Sequence, residues 1–239
     1  YKERQMKRRI DSLITKNKIK SYDEYIEAIK SDKKMLDDFV TYLTINVSEF
    51  YRNPEQWKLL ENEILPYLFE RFGNNLKIWS AACSTGDEPY TLVMLLSKFI
   101  PLNKIKVIAT DLDRVVLEKA HIGLYDEKSL KGLPKEYITK YFTKVGTKSY
   151  QISDDIKKCV EFKQHNLLKD SYPSDCNMII CRNVMIYFTE EAKAEIYKKF
   201  NASLKSDGIL FVGSTEQIIS PGDSGFSTYK SFFYKKAAR

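Results

Sequence analysis

The sequence predicts a doubly wound α/β domain, with a mostly parallel sheet covered by helices on both faces, a small inserted β hairpin and an all-helical N-terminal domain in front. Three observations predict it. Short apolar runs at 76–82, 105–110, 160–163, 177–181 and 208–212 have the length of strands rather than helices. Helical patterns at 88–99, 114–120 and 190–204 alternate with those runs, so the strands are joined by crossovers and pair in parallel. The first seventy or so residues carry only helical periodicity. A chain of 239 residues has room for one sizeable core and a small appendage.

The elements follow in order. Ser21 and Glu24 form a capping box ahead of Tyr25, Ile26 and Ile29, and Asp32 caps a helix whose Met35, Leu36, Phe39, Val40 and Leu43 share a face. Asn53, Pro54 and Gln56 supply an N-cap, a first-turn proline and a box partner for the helix bearing Trp57, Leu60 and Ile64. The stretch 44–52 between these helices is uncapped and reads as a loop. Segments 141–145 and 149–153 around Gly146 form a hairpin inserted into the α/β frame. The Tyr-, Phe-, Ser- and Thr-rich stretch 226–235 suits one closing antiparallel strand. The division is a helical domain and linker over 1–50, then an α/β domain over 51–239 with its inserted β subdomain at about 138–158.

Composition narrows the function classes. With 43% hydrophobic residues, 9 Gly and 7 Pro, the chain is neither disordered nor collagen-like. No apolar run approaches the roughly 20 residues of a membrane helix, and the basic first segment lacks a signal peptide's apolar stretch. A cytoplasmic protein without membrane insertion is expected. Cys83, Cys159, Cys176 and Cys181 make no CxxC pair, and His121 and His165 are the only imidazoles, so no metal site is expected and the thiols read as buried and free. Of the net charge of +7, residues 1–20 hold +6, from eight basic side chains against two acidic ones. That segment either meets an acidic partner or is a solvated face.

In a doubly wound sheet, ligands bind beyond the carboxyl ends of the strands. The first strand ends in Ser80-Ala81-Ala82-Cys83-Ser84-Thr85-Gly86-Asp87-Glu88, where Gly86 and small side chains admit a ligand close to the backbone. This is neither GxGxxG nor a P-loop, which argues against dinucleotides and ATP. Asp87 and Glu88 are open to a second reading, as complements of a helix dipole. Asp111 ends the second strand, suited to ribose hydroxyls or to capping the next helix, a job Asp113 could also do. His165-Asn166-Leu167 follows the third strand and Cys181-Arg182-Asn183-Val184-Met185-Ile186-Tyr187-Phe188 the fourth. Polar groups at four successive strand ends point to a ligand with polar and aromatic parts.

The segments Trp79 to Tyr90, Ala109-Thr110-Asp111-Leu112-Asp113 and Cys181 to Phe188, with Asn46-Val47-Ser48-Glu49-Phe50-Tyr51-Arg52 ahead of them, resemble the CheR family of chemotaxis receptor methyltransferases over essentially the whole chain. Asp87 stands where that family commonly has Glu, and Tyr51 where it commonly has Phe. The resemblance implies a Rossmann-like S-adenosylmethionine-dependent methyltransferase fold. It implies S-adenosylmethionine as donor, S-adenosylhomocysteine as product, and receptor glutamates as acceptors that become γ-glutamyl methyl esters. By position, Arg52 would meet the donor's carboxylate, Glu88 its ammonium and Asp111 its ribose. Asn166 and Leu167 would border adenine; Asn183 and Val184 would line the donor pocket; Asn46 and Ser48 would reach the donor from the linker; and Gly86 would belong to the same site. Tyr187 is a candidate for positioning the acceptor carboxylate or the sulfonium, or else a packing tyrosine.

A carboxylate acceptor is ionised at neutral pH, so the reaction needs alignment and no general base. A nucleic-acid methyltransferase is the rival on this fold, yet Asn183-Val184-Met185-Ile186 lacks the Asn/Asp-Pro-Pro-Tyr/Phe pattern of base amino-group methylation, and no nucleic-acid partner is expected. A donor-binding regulator without catalysis is the other alternative. The expected partner is the cytoplasmic helical signalling domain of chemotaxis receptors, docked on the basic N-terminal helices. Relatives that grip a receptor's C-terminal pentapeptide carry arginines on the inserted hairpin. The segment 144–158 has none and bears Asp154 and Asp155, so the pentapeptide tether is expected to go unused.

Overall fold

The computed structural model describes residues 1–44, 46 and 48–237; Val47 of the linker motif lies outside the described residues. Three helices open the chain: α1 (Glu3–Lys16), α2 (Tyr22–Ser31) and α3 (Lys33–Thr44). Ser21 caps α2, its Oγ accepting the Glu24 N–H at 3.2 Å, while the Glu24 carboxylate takes the Lys20 N–H at 3.1 Å. Asp32 caps α3 through Oδ1, which accepts from Lys34 and Met35 at 2.8 and 3.2 Å. Leu13 and Tyr25 are buried here, but Ile26 and Leu36, expected on covered faces, are exposed. Three short helices have too little mutual surface to cover every apolar position.

The next helix is broken where one was expected. α4 (Pro54–Leu59) passes through a π turn at Leu60–Ile64 into α5 (Leu65–Phe72). Pro66 has no N–H to donate, and its ring would strike the carbonyl four residues earlier, so a wider turn precedes it. The expected cap also differs. Asn53 occupies the N-cap position in a left-handed conformation, φ 60°, without a capping bond. Its Oδ1, like Gln56 Oε1, instead accepts from Arg182 Nη2, at 3.1 and 2.7 Å. A buried guanidinium needs these acceptors more than a solvated helix end does.

The α/β domain runs β1 (Ile78–Ala81), α6 (Asp87–Leu96), β2 (Val107–Asp111), α7 (Arg114–Ile122), β3 (Leu124–Asp126), α8 (Lys135–Tyr141), β4 (Phe142–Val145), β5 (Ser149–Ile152), α9 (Asp154–Lys157), β6 (Val160–Gln164), β7 (Cys176–Cys181), α10 (Glu190–Ser203), β8 (Leu204–Val212), β9 (Phe226–Lys230) and β10 (Phe233–Lys236). Among the described residues the main sheet has seven strands, in the order β6-β2-β1-β7-β8-β10-β9. The first five are parallel, and β10 and β9 close the edge antiparallel. Every residue of β1 and β7 is buried, as central strands covered on both faces require. Alternation sorts their side chains: Ile78, Met178, Ile180 and Phe211 join one core, with Trp57 and Leu60, while Trp79, Ile179, Cys181 and Leu210 join another, with Ile196 and Phe200 of α10.

Two expectations change. The closing strand over 226–235 is a two-strand hairpin, because the chain turns at Phe232, φ 68°. The inserted hairpin gains a third strand, in the order β3-β5-β4, so the β subdomain begins at Leu124 rather than near 138. Three residues are too few to show alternation in sequence.

Candidate active site

Strand order reverses beside β1, whose chain neighbour β2 lies on one side and β7 on the other. The carboxyl ends there splay into a crevice. The cavity at that point is lined by Asn46, Ser48, Arg52, Glu88, Asp111, Asn166, Leu167, Asn183, Val184 and Tyr187, together with Tyr1, Trp57, Cys83, Ser84, His165, Arg182 and Phe188. Every site residue expected from sequence is among these except Gly86. Gly86, φ 88°, turns the chain into α6, where an added Cβ would sit 3.0 Å from Ala120 Cβ and 3.1 Å from Tyr90 Cε2. The left-handed φ and the tight packing behind the cavity both disfavour a side chain there.

The backbone around the cavity is held in rarely occupied conformations. Tyr51, Asn53, Ala82, Ser84 and Asn183 all have positive φ. Each such residue costs about 1–3 kcal/mol, which neighbouring structure must offset. The linker is fixed by named bonds. Asn46 Nδ2 donates to Asp113 Oδ2 at 2.8 Å, the Phe50 N–H to the Ser129 carbonyl at 3.1 Å and the Tyr51 N–H to Thr91 Oγ1 at 3.2 Å. Asp113 also caps α7, accepting from Val115 at 2.9 Å. Asp113 therefore takes the capping role, and Asp111 is left to the cavity.

Asp111 Oδ2 accepts the Ser84 N–H at 2.8 Å and Oδ1 the Asp113 N–H at 3.0 Å. Each oxygen keeps a further lone pair. Glu88 accepts Ser80 Oγ at 2.9 Å and faces Arg182 Nη1 at 3.5 Å. Burial raises the pKa of both acids, offset by backbone N–H groups at Asp111 and by Arg182 at Glu88. Asp87 is raised by burial as well, against hydroxyl bonds from Thr85 and Ser48. Thus Asp87 anchors the linker from beneath the site and Glu88 faces the cavity.

The sequence motif gives Arg182 no role of its own. Its side chain is 2% exposed, and Nη2 donates to the Arg52 carbonyl at 2.9 Å as well as to Asn53 and Gln56. The guanidinium lies 5.3 Å from the Trp57 ring centroid and 4.8 Å from that of Phe211. It joins the linker to the fourth strand end. Asn166 spends Oδ1 on the Leu168 N–H at 2.9 Å. His165 packs edge-on against Trp79 and Tyr172 with Nε2 3.2 Å from the Ser171 carbonyl. Tyr1 stacks on Phe188, centroids 5.1 Å apart, and the Lys2 N–H donates to the Tyr187 carbonyl.

Three buried polar atoms on the wall, Ser84 Oγ, His165 Nδ1 and Arg182 Nε, have no partner among the described residues. With arginine, carboxylate and asparagine side chains gathered on one wall, the cavity suits a zwitterionic ligand that also bears polar hydrogen-bonding groups. Among the described residues there is no group of three or more metal-ligating side chains, and all four cysteines are free and buried. No helix of the described residues is long and apolar enough to cross a membrane.

Residues 46–232 match the family model for the CheR methyltransferase SAM binding domain, and residues 1–44 that for the CheR methyltransferase all-alpha domain. A chemotaxis protein methyltransferase of Listeria monocytogenes is 42% identical, over 99% of this chain and 90% of its own length. Proteins of the same description from Borreliella burgdorferi and Pseudomonas aeruginosa are each 35% identical over 88% of this chain, and over 78% and 80% of their own lengths.

Proposed function

We propose that this chain, which belongs to the CheR methyltransferase family and is an S-adenosylmethionine-dependent methyltransferase, transfers its methyl group to glutamate side chains of chemotaxis receptors, forming γ-glutamyl methyl esters. The observation that carries the reading is the gathering of Arg52, Glu88, Asp111 and Asn183 on one cavity wall. Arg52 would hold the donor's carboxylate, Glu88 its ammonium and Asp111 its ribose hydroxyls, with Asn166 and Leu167 beside adenine and Asn183 and Val184 along the chain between. When bound, S-adenosylmethionine supplies an electrophilic methyl group on a sulfonium. The protein's own part is alignment and exclusion of water. Trp57, Leu167 and Phe188 give the wall an apolar portion that disfavours water around an incoming carboxylate, and the Tyr187 hydroxyl can donate to that carboxylate and fix its approach.

The receptor's cytoplasmic helical signalling domain is the proposed partner, met by the exposed basic face of α1. A purified mixture with methyl-labelled donor tests the reading. Label should enter the receptor and leave as methanol in mild base, as an ester does. Base-stable label, or label entering nucleic acid instead, would overturn it.

A further inference from the structure

The turn that follows β7 carries Asn183, Val184, Tyr187 and Phe188 onto the cavity wall, yet its own sequence does little to hold it there. Asn183 sits at φ 61°, and only a short 3₁₀ turn, Met185–Tyr187, follows. The support comes from a residue more than thirty positions away. Glu216, 6% exposed, lies in the loop after β8. Its Oε2 accepts the Asn183 N–H at 2.6 Å and the Gly213 N–H at 2.9 Å, and its Oε1 accepts the Met185 N–H at 2.6 Å. Gly213 makes the room, since a Cβ there would fall 2.4 Å from Glu216 Oε2 and 2.9 Å from the Asn183 nitrogen.

We infer that Glu216 is a positioning residue for donor binding, which acts by fixing the 183–187 turn rather than by touching ligand. It is not among the residues that line the cavity, so it reaches a ligand there through the turn it holds and through its charge near Glu88 and Arg182, not by contact. Three short N–H bonds on one buried carboxylate use both oxygens, and charge-assisted bonds of this kind are about twice as strong as neutral ones. An amide of the same shape keeps one acceptor oxygen but turns an NH₂ toward an N–H, so one face of the support becomes repulsive. Asn183 and Met185 are held one on each oxygen, with Val184 between them, so losing either oxygen tilts the segment that faces the donor.

The inference rests on the proposed donor site, and titration with S-adenosylhomocysteine separates the two ideas. Wild-type protein that does not bind the product would sink the donor-site reading. If wild type binds, Glu216→Gln should weaken product affinity and raise the donor's KM roughly tenfold. The number of sites per folded chain and the receptor's KM should stay the same, and Glu216→Asp should recover part of the loss. An unchanged donor KM and product Kd in folded Glu216→Gln would overturn the inference, as would a fall in kcat alone through fewer active chains. Should the variant not fold, hydrogen exchange on wild type decides: the Asn183 and Met185 amides should exchange at least a hundredfold more slowly than open-loop amides. Open-loop rates at these two positions would equally overturn it.

Discussion

Arg52 and Arg182 meet at one cavity and differ in what surrounds them. Arg182 is buried, with Nη1 and Nη2 turned to protein acceptors; Arg52 is half-buried on the wall with its carbonyl held by Arg182 and by the Trp57 indole at 2.9 Å each. Its backbone is therefore fixed beside the cavity, and the proposed role of its guanidinium in holding a ligand can be tested directly. Replacing Arg52 with Ala should cost about 1.5–3 kcal/mol of transition-state stabilisation, roughly ten- to hundredfold in kcat/KM, with the circular dichroism spectrum unchanged. Lys should recover only part of it, for want of the planar fork. A fully active Arg52→Ala protein would remove Arg52 from the site.

The buried acids give a pH signature at the same scale. Asp87 has its pKa raised, first by burial, so the folded state binds its proton more tightly than the unfolded chain does. Its contribution to stability is then fully present below the ordinary aspartate pKa and is lost as pH rises through the folded value. Asp87→Asn cannot titrate. The difference in Tm between Asp87→Asn and wild type should shift in the variant's favour as pH rises from the ordinary aspartate range toward neutrality; a flat difference would contradict the raised pKa.

Among elements, α1 and the β subdomain show how far sequence carries. The basic excess over residues 1–20 is plain in sequence, but which charges are available is not. Arg9 is withdrawn from any partner, donating to the Tyr42 carbonyl and lying 4.5 Å from that ring's centroid. Arg4, Lys7 and Arg8 stay exposed. Charge reversal of Arg4, Lys7 and Arg8 should therefore weaken receptor affinity and flatten its salt dependence while leaving product affinity alone. If receptor affinity holds, α1 is a solvated face. In the β subdomain, Asp154 and Asp155 lie on α9, paired with Lys157 and Lys158 at 2.8 and 3.4 Å. They repel a tail carboxylate less than their sequence suggests. The lack of arginine still favours tether-free recognition, and methylation rates should be indifferent to deleting the receptor's last five or so residues. A several-fold fall on that deletion would contradict it.

Strand ends were legible because a polar residue closing an apolar run stands out at once, as Asp111 does after Val107 to Thr110. The supports behind them were not. Asn53 reads as a helix cap until Arg182, 129 residues on, takes its oxygen, and no local pattern marks Glu216 as the acceptor for Asn183, 33 residues earlier. The polar run Gly213-Ser214-Thr215-Glu216 does close the fifth strand, and applying the strand-end rule there would have singled it out. Gly86 shows the opposite ambiguity. A glycine before a helix fits ligand approach, a left-handed turn and close packing alike, and the φ of 88° with Ala120 and Tyr90 close behind gives this one a backbone reason that sequence could not separate from the first.

At the scale of the whole molecule, the linker makes one site from two parts. α3 ends where Thr44 and Asn46 bond to Asp113, the cap of α7, and the chain then passes over the carboxyl ends of β1 and β7 to deliver Ser48 and Arg52. The helical domain adds Tyr1 and Thr44 to the same wall. The donor cavity is thus closed partly by the domain proposed to meet the receptor, so donor and receptor should be read by a continuous surface. The central claim is that this wall is the S-adenosylmethionine site, and a crystal structure of the full chain with S-adenosylhomocysteine tests it most directly. The account expects the product's carboxylate within hydrogen-bond reach of Arg52, its ammonium at Glu88 and its ribose hydroxyls on Asp111. Product bound elsewhere, or lying on this wall with Arg52 and Asp111 out of reach, would contradict it.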